Sequence, residues 1–302
     1  MGNAQERISR ILRLQQHLSG GAVINKKTFA QKNGITEKTV QRDVSMLNNF
    51  YQDLVINGEA ARMIEYSRKD NGYRLIDSAK LTKENILAIS KILLESRAFN
   101  KNELNDMLDK LLSQVGRNDR IGIKELINDD RFYYVPLCHG KDLQDLMYDL
   151  SGFIRQHEKI EIDYAKMDGE KVKRKVRPVS VLFSEFYFYL LAFRDDEKYE
   201  TPTVYRLDRI INCKTVGEKF YIPHTSKFHD GELRKYVQFM YPGKLQKIKF
   251  QFTGKTIEPV LDRLPTARVT SQEQDVYVVE AEVFGEGIEM WMRSQGGCIK
   301  GL

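Results

Sequence analysis

The period of hydrophobic repetition changes near residue 158, and that change restricts the fold more than any single motif. Before it, apolar residues recur at helical spacing, as in Leu104, Met107, Leu108, Leu111 and Leu112, and again in Leu143, Leu146, Met147, Leu150 and Ile154. After it they alternate, as in Ile160-Glu161-Ile162-Asp163-Tyr164 and Ile248-Lys249-Phe250-Gln251-Phe252. A helix buries a stripe and a strand buries every second residue, so the two parts need different kinds of core. Segregated helices and strands predict an α+β chain, and 302 residues suffice for two or three domains.

The helical part starts with a compact module. Ile8, Ile11, Leu12, Leu14 and Leu18 predict a first helix that Ser19-Gly20-Gly21 stops. A second runs from about Lys26 to Lys32 with Phe29 and Ala30 inward, and Asn33-Gly34 makes a tight turn. Thr36 then caps a third helix whose buried stripe is Val40, Val44 and Leu47. Asp43 lies near that stripe and suits an internal contact, while the opposite face presents Lys38, Arg42, Ser45 and Asn49, flanked by Thr39 and Gln41. Two helices, a glycine turn and a polar third helix make a helix-turn-helix, with the third helix placed to enter a major groove. Lys38, Thr39, Gln41, Arg42 and Ser45 carry groups suited to base edges or phosphates.

A β-hairpin follows, from Ala61 to Tyr66 and from Tyr73 to Ile76, with a polar tip at Ser67-Arg68-Lys69-Asp70-Asn71-Gly72. A basic hairpin after a helix-turn-helix is a wing, and Arg68, Lys69 and Arg74 would lie against the DNA backbone. Charge agrees, since residues 1–80 hold thirteen Lys/Arg against eight Asp/Glu, which is +5 of the net +6. A basic module on a near-neutral body fits a polyanionic partner, most simply double-stranded DNA.

Leu81-Thr82 opens a helix with Ile86, Ile89, Ile92 and Leu93 apolar, and Gly116-Arg117-Asn118-Asp119 breaks the helix after it. Leu126 to Tyr134 shows no single period, and a loop starts at Pro136. Beyond residue 158, Val172 to Arg177 reads as a basic strand closed by Pro178, Val179 to Phe183 as a third strand, Phe186 to Phe193 as a fourth and Thr203 to Leu207 as a fifth. Arg194 to Pro202 is a charged loop, and Asn212 to Val216 extends the sheet. Short strands this dense predict a small curled β-barrel.

Phe188-Tyr189-Leu190 and Tyr205-Arg206-Leu207-Asp208-Arg209-Ile210, after a basic strand with Arg177-Pro178, resemble the two motifs of the WYL-domain regulator family. Phe188 stands where that family has its name-giving Trp, which keeps the ring and loses the indole N–H. The resemblance implies a transcriptional regulator with a winged helix-turn-helix at 1–77, a helical linker at 78–142, a Sm-like β-barrel WYL domain at 143–222 and an α+β, ferredoxin-like extension at 223–302. It also implies that the barrel senses a nucleic-acid or nucleotide ligand.

The residues of that barrel support a physical reading beside the resemblance. Alternation puts Tyr187, Tyr189, Leu191 and Phe193 on one face and Phe186, Phe188, Leu190 and Ala192 on the other, the second set being the better core. Arg206 is the foremost ligand candidate, because a charge within a strand needs a partner, and Asp208 or Glu185 could supply one structurally. Arg209 follows, and Tyr187, Tyr189, Tyr164, Lys173 and Arg174 could complete a pocket for a phosphate-bearing, base-bearing ligand.

In the last segment Thr256 to Leu264 and Gly287 to Met292 read as helices, and Val276 to Val283 and Cys298-Ile299 as strands. Phe284-Gly285-Glu286-Gly287 lacks the residues of a phosphate loop, and His224 and His229 read as a surface loop rather than a metal site. Three scattered cysteines, Cys138, Cys213 and Cys298, exclude a disulfide framework. No apolar run approaches a membrane span and no signal-peptide core leads the chain, so a cytoplasmic protein is expected. The chain is therefore expected to be a homodimeric, ligand-responsive regulator, most simply a repressor, with no catalytic residues, metal or cofactor. A single-strand-binding accessory protein is the alternative, and an enzyme of nucleic-acid metabolism ranks below it, because no nucleophile–base pair, carboxylate cluster or phosphate loop stands out.

Overall fold

The computed structural model describes residues 2–57, 62–77, 80–196, 202–221, 235–237, 239–241 and 243–301. Ala61, the loop residues 197–201, His224 and His229 lie outside the described residues. The chain forms two units, Met1–Pro136 and Leu137–Leu302, and is an α+β chain of mixed helix and sheet.

The first unit opens with α1 (Gly2–Ser19), α2 (Lys26–Lys32) and α3 (Glu37–Ile56). Thr36 caps α3 by accepting the Thr39 N–H at 3.2 Å, as its hydroxyl chemistry dictates. Leu14, Leu18, Phe29, Val40, Val44, Leu47 and Tyr51 fill one core. Ile8 and Leu12 are exposed, contrary to the stripe expected of them; α1 instead packs onto the core shared with α3 through Leu14 and Leu18, with Ile11 beside them. The hairpin β1 (Arg62–Ser67) and β2 (Gly72–Asp77) pairs in register Tyr66↔Tyr73. Ile24 adds a bridge to Tyr73, and this close approach explains Gly72, where a Cβ would meet Val23 Cγ1 at 2.6 Å. The wing is tied to α3 by Asn48, whose amide accepts the Ile64 N–H at 2.6 Å and donates to the Ile64 carbonyl at 3.0 Å.

Three helices complete this unit: α4 (Lys83–Ser96), α5 (Lys101–Ser113) and α6 (Arg117–Phe132). They share a separate core of Ile86, Leu94, Leu104, Leu108, Leu112, Ile123 and Ile127. Residues 126–132, which show no single period, are the end of α6, a helix that buries only Ile123 and Ile127. Ile92 faces solvent rather than the core.

The second unit begins with α7 (Gln144–Gln156), then β3 (Glu158–Ala165), β4 (Lys171–Ser184), β5 (Tyr187–Arg194), β6 (Thr203–Arg206), a 3-10 turn at Leu207–Arg209 and β7 (Ile210–Lys219). Pro178 does not end a strand. A single strand of 14 residues runs through it, with a bulge between Pro178 and Ser180 that absorbs the missing N–H. The sheet order is β6-β5-β4-β3-β7, so the last strand returns beside the first. In a flat sheet β3 and β6 would lie about 14 Å apart. The rings of Tyr164 on β3 and Tyr205 on β6 are 5.1 Å apart, so the sheet curls into a small barrel around Ile160, Ile162, Val176, Leu190, Ala192 and Leu207.

The rest of this unit is β8 (Leu245–Thr253), α8 (Glu258–Arg263), β9 (Arg268–Glu273), β10 (Val276–Phe284), α9 (Gly287–Ser294) and β11 (Ile299–Gly301). This β-α-β-β-α-β order with strands arranged β11-β8-β10-β9 is ferredoxin-like. Its β9 has no hydrophobic alternation and is exposed at every residue, which is why no period reveals it. Val237 and Phe284 pack with Leu182 and Leu191 of the barrel. Both faces of β5 are therefore covered at its C-terminal end, and Leu191 and Phe193 are as buried as Leu190 and Ala192. Phe186 is not in the strand; it sits exposed in the turn before it.

Candidate nucleic-acid interface and ligand site

The exposed face of α3 is mostly polar. Lys38, Gln41, Arg42, Ser45, Met46 and Asn49 line one shallow depression. Among the described residues, no hydrogen bond or ion pair engages the side chains of Lys38, Gln41, Arg42 or Ser45, so their donors face solvent. Thr39 differs, because its hydroxyl is 3.0 Å from that of Thr36 and belongs to the cap. Met46 was missed by the polarity pattern; it is exposed on the same face, where Arg7 reaches its sulfur. Beneath this face Arg10 grips Asp43 at 2.7 and 3.3 Å. Asp43 is almost fully buried, and its hydrogen bond raises the pKa of Arg10 above the ordinary value.

The wing presents Arg68 and Lys69 at its exposed tip. Asp70 is engaged by the Ser67 hydroxyl at 2.6 Å and Asn71 by the Tyr66 hydroxyl at 2.7 Å, and among the described residues neither pairs with Arg68 or Lys69. Arg74 is instead drawn to Glu65 at 3.8 Å across the hairpin and is less available to a phosphate.

In the second unit, Arg206 lies over the Tyr187 ring, its Cζ 3.5 Å from the centroid. The Arg206 guanidinium donates to both oxygens of Asp208 at 3.0 and 2.8 Å. Asp208 is buried and Arg206 is 23% exposed. Asp208, not Glu185, is thus the partner of Arg206, whereas Glu185 accepts from Arg263 at 2.8 Å. Burial opposes the charge of Arg206, but the hydrogen bond and charge of Asp208 outweigh it and raise the pKa. Tyr189 pairs with Arg206 across β5 and β6, and its ring lies 6.3 Å from that of Tyr187. Burial raises the Tyr189 pKa, with Arg206 opposing, so its hydroxyl stays protonated as a donor. The Tyr164 hydroxyl accepts the backbone N–H of Arg206 at 3.2 Å, and so fixes the strand rather than the ligand face.

Arg209 closes the 3-10 turn beside this cluster, half-buried. Lys173 and Arg174 are engaged elsewhere: Lys173 pairs with Glu161 at 3.4 Å and Asp163 at 3.6 Å, and Arg174 donates to the Lys173 carbonyl at 3.2 Å. Among the described residues nothing joins either to Arg206. The structure therefore brings Arg206, Tyr187 and Tyr189 together, seats Tyr164 behind them, and leaves Lys173 and Arg174 out.

Two further residues join the cluster from the loop before α7. The Lys141 ammonium donates to the Asp208 carbonyl at 2.6 Å, and the Lys141 N–H donates to His139 Nδ1 at 3.0 Å. Burial holds His139 below its ordinary pKa, with Asp208 opposing. No period or motif marks these loop positions, and only the fold places them here. Among the described residues no group of His, Cys, Asp and Glu is arranged to hold a metal, and no helix is long and apolar enough to cross a membrane.

The family described as WYL domain matches residues 145–215, the segment that contains α7 and the curled sheet. The chain thus contains a WYL domain, as its motifs implied. No curated protein matches the chain. Among solved structures, proteasome accessory factor B/C (PafBC) of Arthrobacter aurescens is similar at 14% identity over 98% of this chain, with a TM-score of 0.30. This chain spans 45% of that protein's length. A CRISPR Cas-related protein is similar at 14% identity over 75% of this chain and 70% of its own, with a TM-score of 0.36. At such overlap neither likeness bears on function.

Proposed function

We propose, taking residues 145–215 as a WYL domain, that the chain is a DNA-binding transcription regulator whose barrel senses an anionic, nucleotide-type ligand. The observation that carries this reading is the α3 face, where Lys38, Gln41, Arg42 and Ser45 stand exposed and unengaged among the described residues on a helix that the Arg10–Asp43 pair ties to α1. An amphipathic helix needs polarity on its outer face; it does not need four unengaged donors beside a basic hairpin tip. Arg68 and Lys69 would take phosphates, and Lys38, Gln41, Arg42 and Ser45 base edges or phosphates. One such helix reads few base pairs, so the regulator works as a homodimer on paired half-sites of an operator. We read segments 1–77, 78–142, 143–222 and 223–302 as DNA module, helical linker, sensor and extension of a cytoplasmic repressor, without catalytic function.

In the sensor, a guanidinium stacked on a tyrosine offers a planar cation to phosphate and an aromatic surface to a base. A ligand acts only through unequal affinity for two states of the dimer. The test is anisotropy of the full chain on duplexes from its own upstream region against random duplex. Arg42→Ala should lower the preference for the specific duplex by about 1–3 kcal/mol, while Lys69→Ala should weaken both duplexes alike and reduce the salt slope by roughly 1. Equal binding of all duplexes by the unaltered protein overturns the reading.

A further inference from the structure

We propose that Lys141 is a second cationic contact of the Arg206 site, held in reserve on a backbone carbonyl and released to the ligand's phosphate. This rests on the sensor reading given above, and it concerns a residue outside the segment 145–215 that matches the WYL family.

The argument begins with what Lys141 does without a ligand. Its side chain is exposed, and its ammonium has one partner among the described residues, the main-chain oxygen of Asp208 at 2.6 Å. A neutral carbonyl satisfies one donor of three and leaves the charge uncompensated. The single charge of the neighbouring carboxylate is already matched by Arg206, which donates to both oxygens of Asp208 at 3.0 and 2.8 Å. One acidic residue therefore serves two cations, one through its side chain and one through its backbone. Arg209 closes the same 3-10 turn, and the positive charge at the cluster is that of Arg206 and Lys141. His139 adds none, since burial disfavours its charged form. The cluster carries surplus positive charge beside two tyrosine rings, and a phosphate group is the chemistry that matches it.

The backbone around Lys141 is arranged for this use. A turn closes from the Leu137 carbonyl to the Gly140 N–H at 3.2 Å, with Gly140 at φ 60. The Lys141 N–H then donates to His139 Nδ1 at 3.0 Å. These bonds hold the main chain at Lys141, so its four-carbon stem can move from carbonyl to phosphate without refolding the loop. Moving exchanges a bond to a neutral carbonyl for one to an anionic phosphate, which adds the attraction of opposite charges. Arg206, backed by the Tyr187 ring, holds the anion, and Lys141 closes on it from the loop side.

The experiment measures binding of the full chain to a fluorescent six-nucleotide deoxythymidylate over a range of salt concentrations. A cation that contacts phosphate contributes about 0.7 to the slope of log K against log salt on a single strand. A residue that only shapes the loop changes affinity and leaves that slope alone. Lys141→Met should reduce the slope by about 0.7 and weaken binding about tenfold at low salt, and Lys141→Arg should restore both. Lys173→Met, an exposed cation outside the cluster, should change neither. If the unaltered protein fails to bind the oligonucleotide, the sensor reading and this contact fall together. If it binds, and Arg206→Met abolishes binding while Lys141→Met keeps the full slope, the sensor stands and the Lys141 proposal is wrong.

Discussion

Two Arg–Asp pairs, one in each unit, have nearly the same chemistry and opposite consequences. Arg10 and Asp43 are 33 residues apart and join α1 to α3. Arg206 and Asp208 are two residues apart and join a strand to its own turn. Both are two-pronged guanidinium–carboxylate pairs with a nearly buried acid. The first ties together two elements that are far apart in the chain. The second holds nothing that the chain does not already hold, because two residues on one turn stay close whether or not they bond. A long-range pair is a clamp; a local pair that leaves its arginine stacked on an aromatic ring is a charge kept ready for exchange. Sequence separation, more than geometry, tells the two roles apart.

The comparison breaks most readily at Asp43. Removing it strands Arg10 at the α1–α3 contact, and breaking a buried pair from one side costs about 3–5 kcal/mol. Asp43→Ala should lower the hydrogen-exchange protection of the Val44 and Leu47 amides by roughly a hundredfold or more, a local readout that does not require the whole chain to unfold as one. Protection reduced less than about fivefold would mean that apolar packing through Leu14 and Val40 holds α1 on α3 without the clamp.

Asp208 should behave differently. Asp208→Asn keeps an acceptor for Arg206 and removes the charge that competes with a ligand. Stability should fall by about 1 kcal/mol or less, the scale of a partly exposed pair. Affinity for the six-nucleotide deoxythymidylate should rise severalfold, because the phosphate no longer displaces a carboxylate. A loss of protection in β6 and β7 as large as that expected for Asp43→Ala in α3 would erase the distinction between clamp and reserve.

The same distinction explains what could be read in the sequence. Thr36 and the stripe Val40, Val44 and Leu47 are set by local rules of capping and period, and they stand where those rules put them. The inward lean of Asp43 follows from its angle on the helix, though nothing in the sequence names Arg10 as its partner. Arg206 and Asp208 were visible as a motif. The order of exposure along β5 was half visible, because alternation predicts two faces but not that Val237 and Phe284 cover Leu191 from afar. Pro178 misled, since the rule against proline in strands yields at a bulge. Residues 126–132 misled because α6 is mostly exposed and has little period to show. Lys173 is a candidate by its charge, but the cross-strand pairing Asp163↔Lys173 supplies it with an acid. His139 and Lys141 lie in a loop, where side-chain position depends on a contact 67 residues away.

A competing explanation for a soft Arg206–Asp208 pair is that the whole barrel is loose, so that any local pair in it would yield. Cys213 decides this. It lies on β7 opposite Ile162 and packs against the barrel core. Burial first, and the charge of Asp149 second, push its thiol up to about 11. A thiol raised in the folded state stabilises the fold below the unfolded thiol pKa, near 8.5, and loses that contribution as pH rises toward 11. At pH 8 almost none of it is the reactive thiolate. Cys138 and Cys298 are exposed. Iodoacetamide at pH 8 followed by peptide mass analysis should therefore label Cys138 and Cys298 well before Cys213. The order should be the same in Asp208→Asn, because the change at Arg206 is confined to one turn. If Cys213 reacts as fast as the exposed pair in the unaltered protein, the barrel opens on its own, and the contrast between the two Arg–Asp pairs would reflect the unit they sit in rather than the distance between the partners along the chain.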